Sequence, residues 1–134
     1  MTEGCDMADM QGSGESVLVV DDEAQQCDIA REMFAVLGYQ VESVRSGEEA
    51  VEYLREKEVD LLLLDMIMDP GINGRETYEQ ISEFRPEQRA VIASGFSETE
   101  DVKTTQNLGA GVFIRKPYTL SQLGMAVKQA LVKK

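Results

Sequence analysis

The chain has 134 residues, carries a formal charge of −12 and contains no histidine. This length suits one domain, and the negative charge argues against nucleic acid or an anionic membrane as a partner. Because it lacks histidine, the chain supplies no phosphohistidine, histidine base or histidine metal ligand of its own.

The N-terminal segment and the cysteines indicate a cytoplasmic protein. Two cysteines, Cys5 and Cys27, are too few for a disulfide framework, and we expect both to be reduced thiols. Residues 1–15 are acidic and contain glycine and serine, so we expect a flexible leader or linker and not a signal peptide. No apolar run approaches the length of a membrane span. We therefore assign residues 16–134 to the folded domain.

Five short apolar runs recur along the chain and predict five β-strands. The first, third and fourth are continuously apolar, which is typical of strands buried on both faces. The second alternates with Glu42 and Ser43, which favours an edge strand. The runs are Val17–Val20, Val41–Val44, Leu61–Leu64, Ala90–Ala93 and Val112–Ile114.

The segments between the runs have helical periodicity or helix-end signals. The first helix is predicted from four apolar residues at helical spacing, Ile29, Met33, Phe34 and Leu37. Gly38 ends it, and Ser46 with Glu49 forms a capping-box pattern that begins the second helix. The other three helices are predicted near residues 73–84, 98–108 and 121–132.

The alternation of strands and helices predicts a parallel sheet with helices on both faces. With five strand–helix units, we favour a doubly wound α/β fold, (βα)5, with the flavodoxin-like strand order 2-1-3-4-5 over a Rossmann order. Ligands bind beyond the carboxyl ends of the strands in such sheets. The residues that follow each predicted strand are therefore the candidates for a functional site.

Three carboxylates, a hydroxyl and an ammonium follow the predicted strands. Asp21 and Asp22 follow the first, Asp65 the third, Ser94 the fourth, and Lys116 comes shortly after the fifth. Clustered carboxylates repel one another, and Mg²⁺ relieves this repulsion because it prefers oxygen ligands. A phosphoryl group can then approach a carboxylate, with Lys116 and Ser94 contacting its oxygens. A single aspartate after a strand is usually a turn former or a helix cap, so this interpretation depends on the combined pattern.

Four segments together resemble the receiver domain of bacterial two-component response regulators, over roughly residues 16–133. They are Val17–Glu23, Leu61–Met68, Val91–Gly95 and Arg115–Tyr118. The resemblance implies that Asp65 accepts a phosphoryl group from the phosphohistidine of a histidine kinase or a histidine phosphotransfer protein. It also implies that Asp21, Asp22, Asp65 and the backbone carbonyl of Ile67 bind Mg²⁺.

The same resemblance implies a switch that transmits phosphorylation to a partner. Ser94 and Phe113 would carry the change to a face formed by the fourth helix, the fifth strand and the fifth helix. Phe113 is alternatively a plain core residue of the fifth strand. No DNA-binding helix-turn-helix is recognisable after the fifth helix, so we expect output through a protein partner and not through nucleic acid.

Two features depart from the family pattern. Receiver domains commonly place a proline four residues after the acceptor, whereas here Asp69 stands there and Pro70 follows, so the loop is one residue longer. The switch position is Ser94 and not the more usual threonine, and Gly95 should leave the site more open. These features also resemble receivers at the C-terminus of hybrid sensor histidine kinases, although a free-standing regulator would look much the same.

Three other functions are compatible with this fold. A protein-binding module that works without phosphorylation is disfavoured by the complete set of acidic and basic residues. A phosphatase with an aspartyl-phosphate intermediate would carry a second carboxylate two residues after its nucleophile, where this chain has Ile67. A flavodoxin-like cofactor binder would need a phosphate loop after the first strand, where Asp21 and Asp22 repel phosphate.

Overall fold

The computed structural model describes residues 11–68, 71–95 and 100–132, and within them strands and helices alternate along the chain. The strands are β1 (Ser16–Val20), β2 (Gln40–Val44), β3 (Leu61–Asp65), β4 (Ala90–Ser94) and β5 (Gly111–Arg115). The helices are α1 (Ala24–Val36), α2 (Gly47–Glu56), α3 (Gly74–Phe84), α4 (Glu100–Asn107) and α5 (Leu120–Val132). Each predicted apolar run lies inside an observed strand.

The five strands form one parallel sheet in the order β2-β1-β3-β4-β5, which confirms the predicted topology. Strands β3 and β4 are buried along their whole length, whereas the edge strand β2 is partly exposed. The register pairs Val20 with Leu64 and Asp65 with Ala93. The carboxyl ends of β1, β3 and β4 therefore lie side by side at one edge of the sheet.

Helices pack on both faces of the sheet and form two apolar layers. Alternate residues of each strand supply the two layers, so that Val19 faces α1 and α5 while Val20 faces α2 and α3. The inward face of α1 runs through Cys27, Ala30 and Phe34. The periodicity that included Ile29 in this face is wrong, because its side chain is 41% exposed.

Helices α2 and α3 both begin at side-chain caps. The Ser46 hydroxyl accepts the N–H of Glu49 at 3.0 Å, as predicted, while the Glu49 carboxylate accepts the N–H of Arg45 at 2.7 Å. Asn73 forms a complete capping box with Glu76, with bonds of 2.9 and 3.0 Å. This cap fixes the start of α3 just beyond the end of β3.

Replacing Asn73 by alanine should destabilise the protein by about 1 kcal/mol, because the N–H of Glu76 at the start of α3 loses its acceptor. Urea unfolding measures the loss. Asn107→Ala, at an exposed position that ends α4, is the matched control and should have little effect. Equal stability of the Asn73 variant and the parent would contradict the capping role.

Two further sequence expectations fall partly outside the described residues. Cys27 is a free, buried thiol, as predicted, whereas Cys5 lies outside the described ranges. The longer loop at Asp69 and Pro70 is also outside them. Among the helices described, none combines the length and apolar character needed to cross a bilayer.

Candidate functional site

Three carboxylates meet at the carboxyl edge of the sheet. One oxygen each from Asp21, Asp22 and Asp65 lies within 4.8 Å of the others. Asp21 and Asp65 are only 5% and 7% exposed, because they stand at the ends of central strands. The Asp21 Oδ1 atom accepts the N–H of Glu23 at 3.0 Å, which orients this carboxylate at the start of α1. The cluster therefore forms because its aspartates stand at the carboxyl ends of neighbouring strands.

Lys116 bridges two of these carboxylates. Its Nζ lies 2.8 Å from Asp21 Oδ2 and 3.1 Å from Asp65 Oδ1. The backbone N–H of Lys116 donates to the carbonyl of Ser94 at 2.7 Å, which extends the pairing of β5 with β4 past the end of the strand. The ammonium is therefore held over the carboxylate cluster by the sheet itself.

Burial and charge crowding shift the pKa values of this cluster. Burial raises the pKa of Asp65 from 3.8 to about 6; the positive charge of Lys116 opposes the rise, and the charges of Asp21 and Asp22 add to it. Burial lowers the pKa of Lys116, but the hydrogen bonds and charges of Asp21 and Asp65 outweigh this effect, and the net pKa is raised. One ammonium thus faces three carboxylates, and an excess of negative charge remains at neutral pH.

This donor set fits a hard divalent cation. All three side chains offer oxygen atoms, which Mg²⁺ prefers, and a cation would relieve the repulsion from Asp21 and Asp22 that adds to the effect of burial on the pKa of Asp65. Ile67 follows Asp65 by two residues and is 53% exposed. An isoleucine side chain has no atom that can bind a metal, so any ligand from Ile67 would come from its backbone.

Ser94 and Phe113 lie on the strands beyond β3. Ser94 is buried at the end of β4, the strand that pairs with that of Asp65. Phe113 is partly buried in β5 and packs against the apolar layer formed by α2, α3 and α4. It also borders a groove of about 540 Å³ between β5 and α5, together with Arg115 and Met125.

Sequence reasoning missed two features of the site. A Cβ on Gly74 would lie 2.7 Å from the carbonyl oxygen of Asp65, so only glycine lets α3 begin this close to β3. The sequence signal was the Asn73–Gly74 pair that opens the helix. Tyr118 lines a small cavity of about 10 Å³ together with Asp21 and Lys116, and the sequence analysis, which included it in the Arg115–Tyr118 segment, gave it no role.

A family model described as the response regulator receiver domain matches residues 17–128. The chain belongs to this family. Receiver domains accept phosphoryl groups in two-component signalling. They interact with histidine kinases or phosphotransfer proteins, and they bind Mg²⁺ at an acidic pocket.

Curated relatives include both free-standing and multidomain proteins. Sporulation initiation phosphotransferase F of Bacillus subtilis is 29% identical over 87% of this chain and 94% of its own length. Transcriptional regulatory protein ZraR of Klebsiella oxytoca is 31% identical over 91% of this chain. The receiver domain described here spans only 27% of ZraR, and 50% of the response regulator SaeR of Staphylococcus aureus.

Solved structures share both the fold and detectable sequence identity. A CheY-like receiver domain protein from Methanospirillum hungatei superposes with a TM-score of 0.82 at 26% identity, covering 89% of this chain and 94% of that chain. The CheX–CheY–BeF3–Mg²⁺ complex from Borrelia burgdorferi gives a TM-score of 0.83 at 28% identity, covering 89% and 90%. Both likenesses span nearly the whole receiver domain.

Proposed function

We propose that this receiver domain accepts a phosphoryl group on Asp65 from a phosphohistidine of a histidine kinase or a histidine phosphotransfer protein. Mg²⁺ would be held by Asp21, Asp22 and Asp65 and by the backbone carbonyl of Ile67. The observation that carries the proposal is the cluster of three carboxylate oxygens within 4.8 Å, bridged by the Lys116 ammonium. The chain has no histidine, so the donor belongs to a partner or another domain.

The transfer follows from the position of each group. A carboxylate oxygen of Asp65 attacks phosphorus, the P–N bond of the donor breaks, and its electron pair returns to the imidazole, which takes a proton from solvent. Lys116, whose Nζ lies 3.1 Å from Asp65 Oδ1, would neutralise one phosphoryl oxygen, and the Ser94 hydroxyl would donate to another. Bound Mg²⁺ supplies the remaining positive charge for the incoming phosphoryl group.

Ser94 and Phe113 are proposed to transmit the change to a partner-binding face formed by α4, β5 and α5. A new anion on Asp65 would bias two preexisting populations through contacts with Ser94. The groove beside Phe113 supports a protein partner, because on a strongly acidic chain Arg115 is the one charged residue among the described residues that line it. The same acidity supports a protein in preference to nucleic acid.

We also propose that residues 16–134 form the receiver unit, that residues 1–15 serve as a leader or linker, and that the domain acts in the cytoplasm. The family match, which begins at residue 17, supports this division. The relatives named above are response regulators and a phosphotransferase, so they give no support to an origin in a hybrid histidine kinase.

Phosphoryl uptake tests the proposal directly. Incubation with acetyl phosphate and Mg²⁺ should add the mass of one phosphoryl group to the intact protein, and a chelator should prevent the addition. Asp65→Asn should gain nothing, because an amide oxygen cannot form the acyl phosphate. Asp28→Asn, at an exposed position of α1, is the matched control and should react like the parent.

Two results would overturn the assignment. Full phosphorylation of the Asp65→Asn variant would show that another residue is the acceptor. A parent protein that takes up neither a phosphoryl group nor the phosphoryl mimic beryllofluoride in excess Mg²⁺ would show that the cluster is not a phosphoryl site.

A further inference from the structure

Residues 11–15, here called the strap, lie across the C-terminal end of α1. The N–H of Gly12 donates to the carbonyl of Leu37 at 2.6 Å, and the N–H of Gly14 donates to that of Gly38 at 2.9 Å. The carbonyl of Glu15 then accepts the N–H of Gln40 at 2.9 Å, where β2 begins. Carbonyls at the end of a helix lack partners within it, so the strap supplies donors that the turn after α1 needs.

Tyr39 lies under the strap. Its side chain is 5% exposed, and its ring meets Phe34 edge-on, with the ring centroids 5.7 Å apart. A Cβ on Gly12 would stand 2.4 Å from Cε1 and 2.5 Å from Cζ of this ring. The ring is held in the core and cannot move aside easily, so the strap can pass over it only because residue 12 is glycine.

The closed strap also carries a cost. The Tyr39 hydroxyl is buried, and within the described part of the chain it has no hydrogen-bond partner. Burial raises the pKa of Tyr39, and the negative charge of Glu15 adds to the rise. A buried hydroxyl without a hydrogen-bond partner is unfavourable, so it offsets part of the stabilisation that the strap hydrogen bonds provide.

We propose that the strap is a closure that opens as a unit, exposing the Tyr39 hydroxyl to water and releasing the end of α1. It lies N-terminal to residues 17–128, which the receiver-domain model matches. The opposite end of α1 begins directly after Asp21 and Asp22, at the acidic cluster. The strap therefore contacts the end of α1 that lies away from the acidic cluster. The inference does not depend on the proposed function.

A thermodynamic cycle tests the strap. Tyr39→Phe removes only the unsatisfied hydroxyl, and in the full chain it should raise the folding equilibrium constant about tenfold. In a chain that lacks residues 2–14, water should reach the hydroxyl, and the same substitution should change the constant by less than about twofold. A chain that lacks only residues 2–10 keeps the strap and should behave like the full chain.

Chemical labelling gives a second readout that does not need a truncated chain to fold. N-acetylimidazole should acetylate the Tyr39 hydroxyl slowly in the parent, as located by peptide mass mapping. The rate should be several-fold higher in Gly12→Ala, because the added Cβ displaces the strap from the ring. Ser13→Ala changes an exposed neighbour in the same segment and should label like the parent. An equal effect of Tyr39→Phe with and without the strap, or equal labelling of all three proteins, would overturn the proposal.

Discussion

Replacing Asp65 by asparagine is expected to stabilise the metal-free protein at neutral pH. Burial raises the pKa of Asp65 from 3.8 to about 6, despite the opposing charge of Lys116. This shift is about two units, and at about 1.4 kcal/mol per unit an ionised Asp65 costs the folded state about 3 kcal/mol. Asparagine has nearly the same shape and no charge, so it removes the cost.

The stability gained by the Asp65→Asn substitution should increase as the pH rises. A carboxyl group whose pKa is raised in the folded state contributes its full stability below the unfolded pKa and loses it as the pH rises through the folded pKa. For Asp65 these values are 3.8 and about 6. Parent and variant should therefore be about equally stable near pH 4 and differ by about 3 kcal/mol near pH 8. Urea unfolding in the presence of a chelator, across this range, measures the difference.

Asp28→Asn is the control for this measurement, because it removes an exposed carboxylate of α1 and should change stability by less than about 0.5 kcal/mol. Adding Mg²⁺ should stabilise the parent by mass action and narrow its gap to the Asp65 variant. A variant that is less stable than the parent at pH 8 in chelator would show that charge crowding does not govern this site.

The sheet was predictable because its central strands are buried on both faces. The Leu61–Leu64 run and the Ala90–Ala93 run are continuous apolar segments, and few other structures bury every side chain of so short a segment. Helix α1 was harder, because its inward face uses the small residues Cys27 and Ala30 close to the sheet. Hydrophobicity favours Ile29 over such residues, so the pattern assigned Ile29 to the wrong side.

The acidic cluster was predictable in position but not in geometry. Asp21 and Asp65 come at the ends of strands whose order follows from the alternation of elements, so their convergence follows from topology. The double contact of Lys116 and the close approach of Gly74 to Asp65 depend on loop paths, which side-chain patterns do not encode.

The contacts of the strap could not be predicted from the sequence either. Residues 11–15 were expected to belong to a flexible leader because of their composition. Their contacts with Leu37 and Gly38 are made by backbone N–H groups, which every non-proline residue carries and which no composition rule can locate. Only the structure shows that Gly12, which has no Cβ, lets the strap pass close to the ring of Tyr39.

Lys116→Met is expected to destabilise the protein, in contrast to Asp65→Asn, and the change in the free energy of unfolding should be at least as large. Its ammonium bonds two buried carboxylates at 2.8 and 3.1 Å, and methionine keeps the length of the chain without the charge. Removing one partner of a buried ion pair leaves uncompensated charge and costs about 3–5 kcal/mol. The raised pKa of Lys116 means that its contribution is fully present below the unfolded pKa and is lost only as the pH rises through the folded value, so the loss should be complete near neutral pH.

The loss should shrink as Asp65 takes up a proton below about pH 6, since one partner of Lys116 is then neutral. It should also shrink in the Asp65→Asn background, where only Asp21 remains to be paired, and this non-additivity separates a shared cluster from two independent effects. Mg²⁺ should restore part of the stability, because a bound cation supplies the missing positive charge. Phosphoryl uptake should stay slow even then, since the contact of Lys116 with a phosphoryl oxygen is not replaced.

Lys103→Met provides the comparison for Lys116→Met, because Lys103 is exposed on α4 and its substitution should change neither stability nor phosphoryl uptake appreciably. Urea unfolding of both variants at about pH 5 and pH 8, each with chelator and with Mg²⁺, separates the electrostatic loss from a packing loss. A packing defect would cost the same free energy under all four conditions. An equal loss throughout for Lys116→Met would therefore contradict the assignment of Lys116 as the counter-charge of the cluster, whereas a loss that is largest in the metal-free protein at the higher pH supports it.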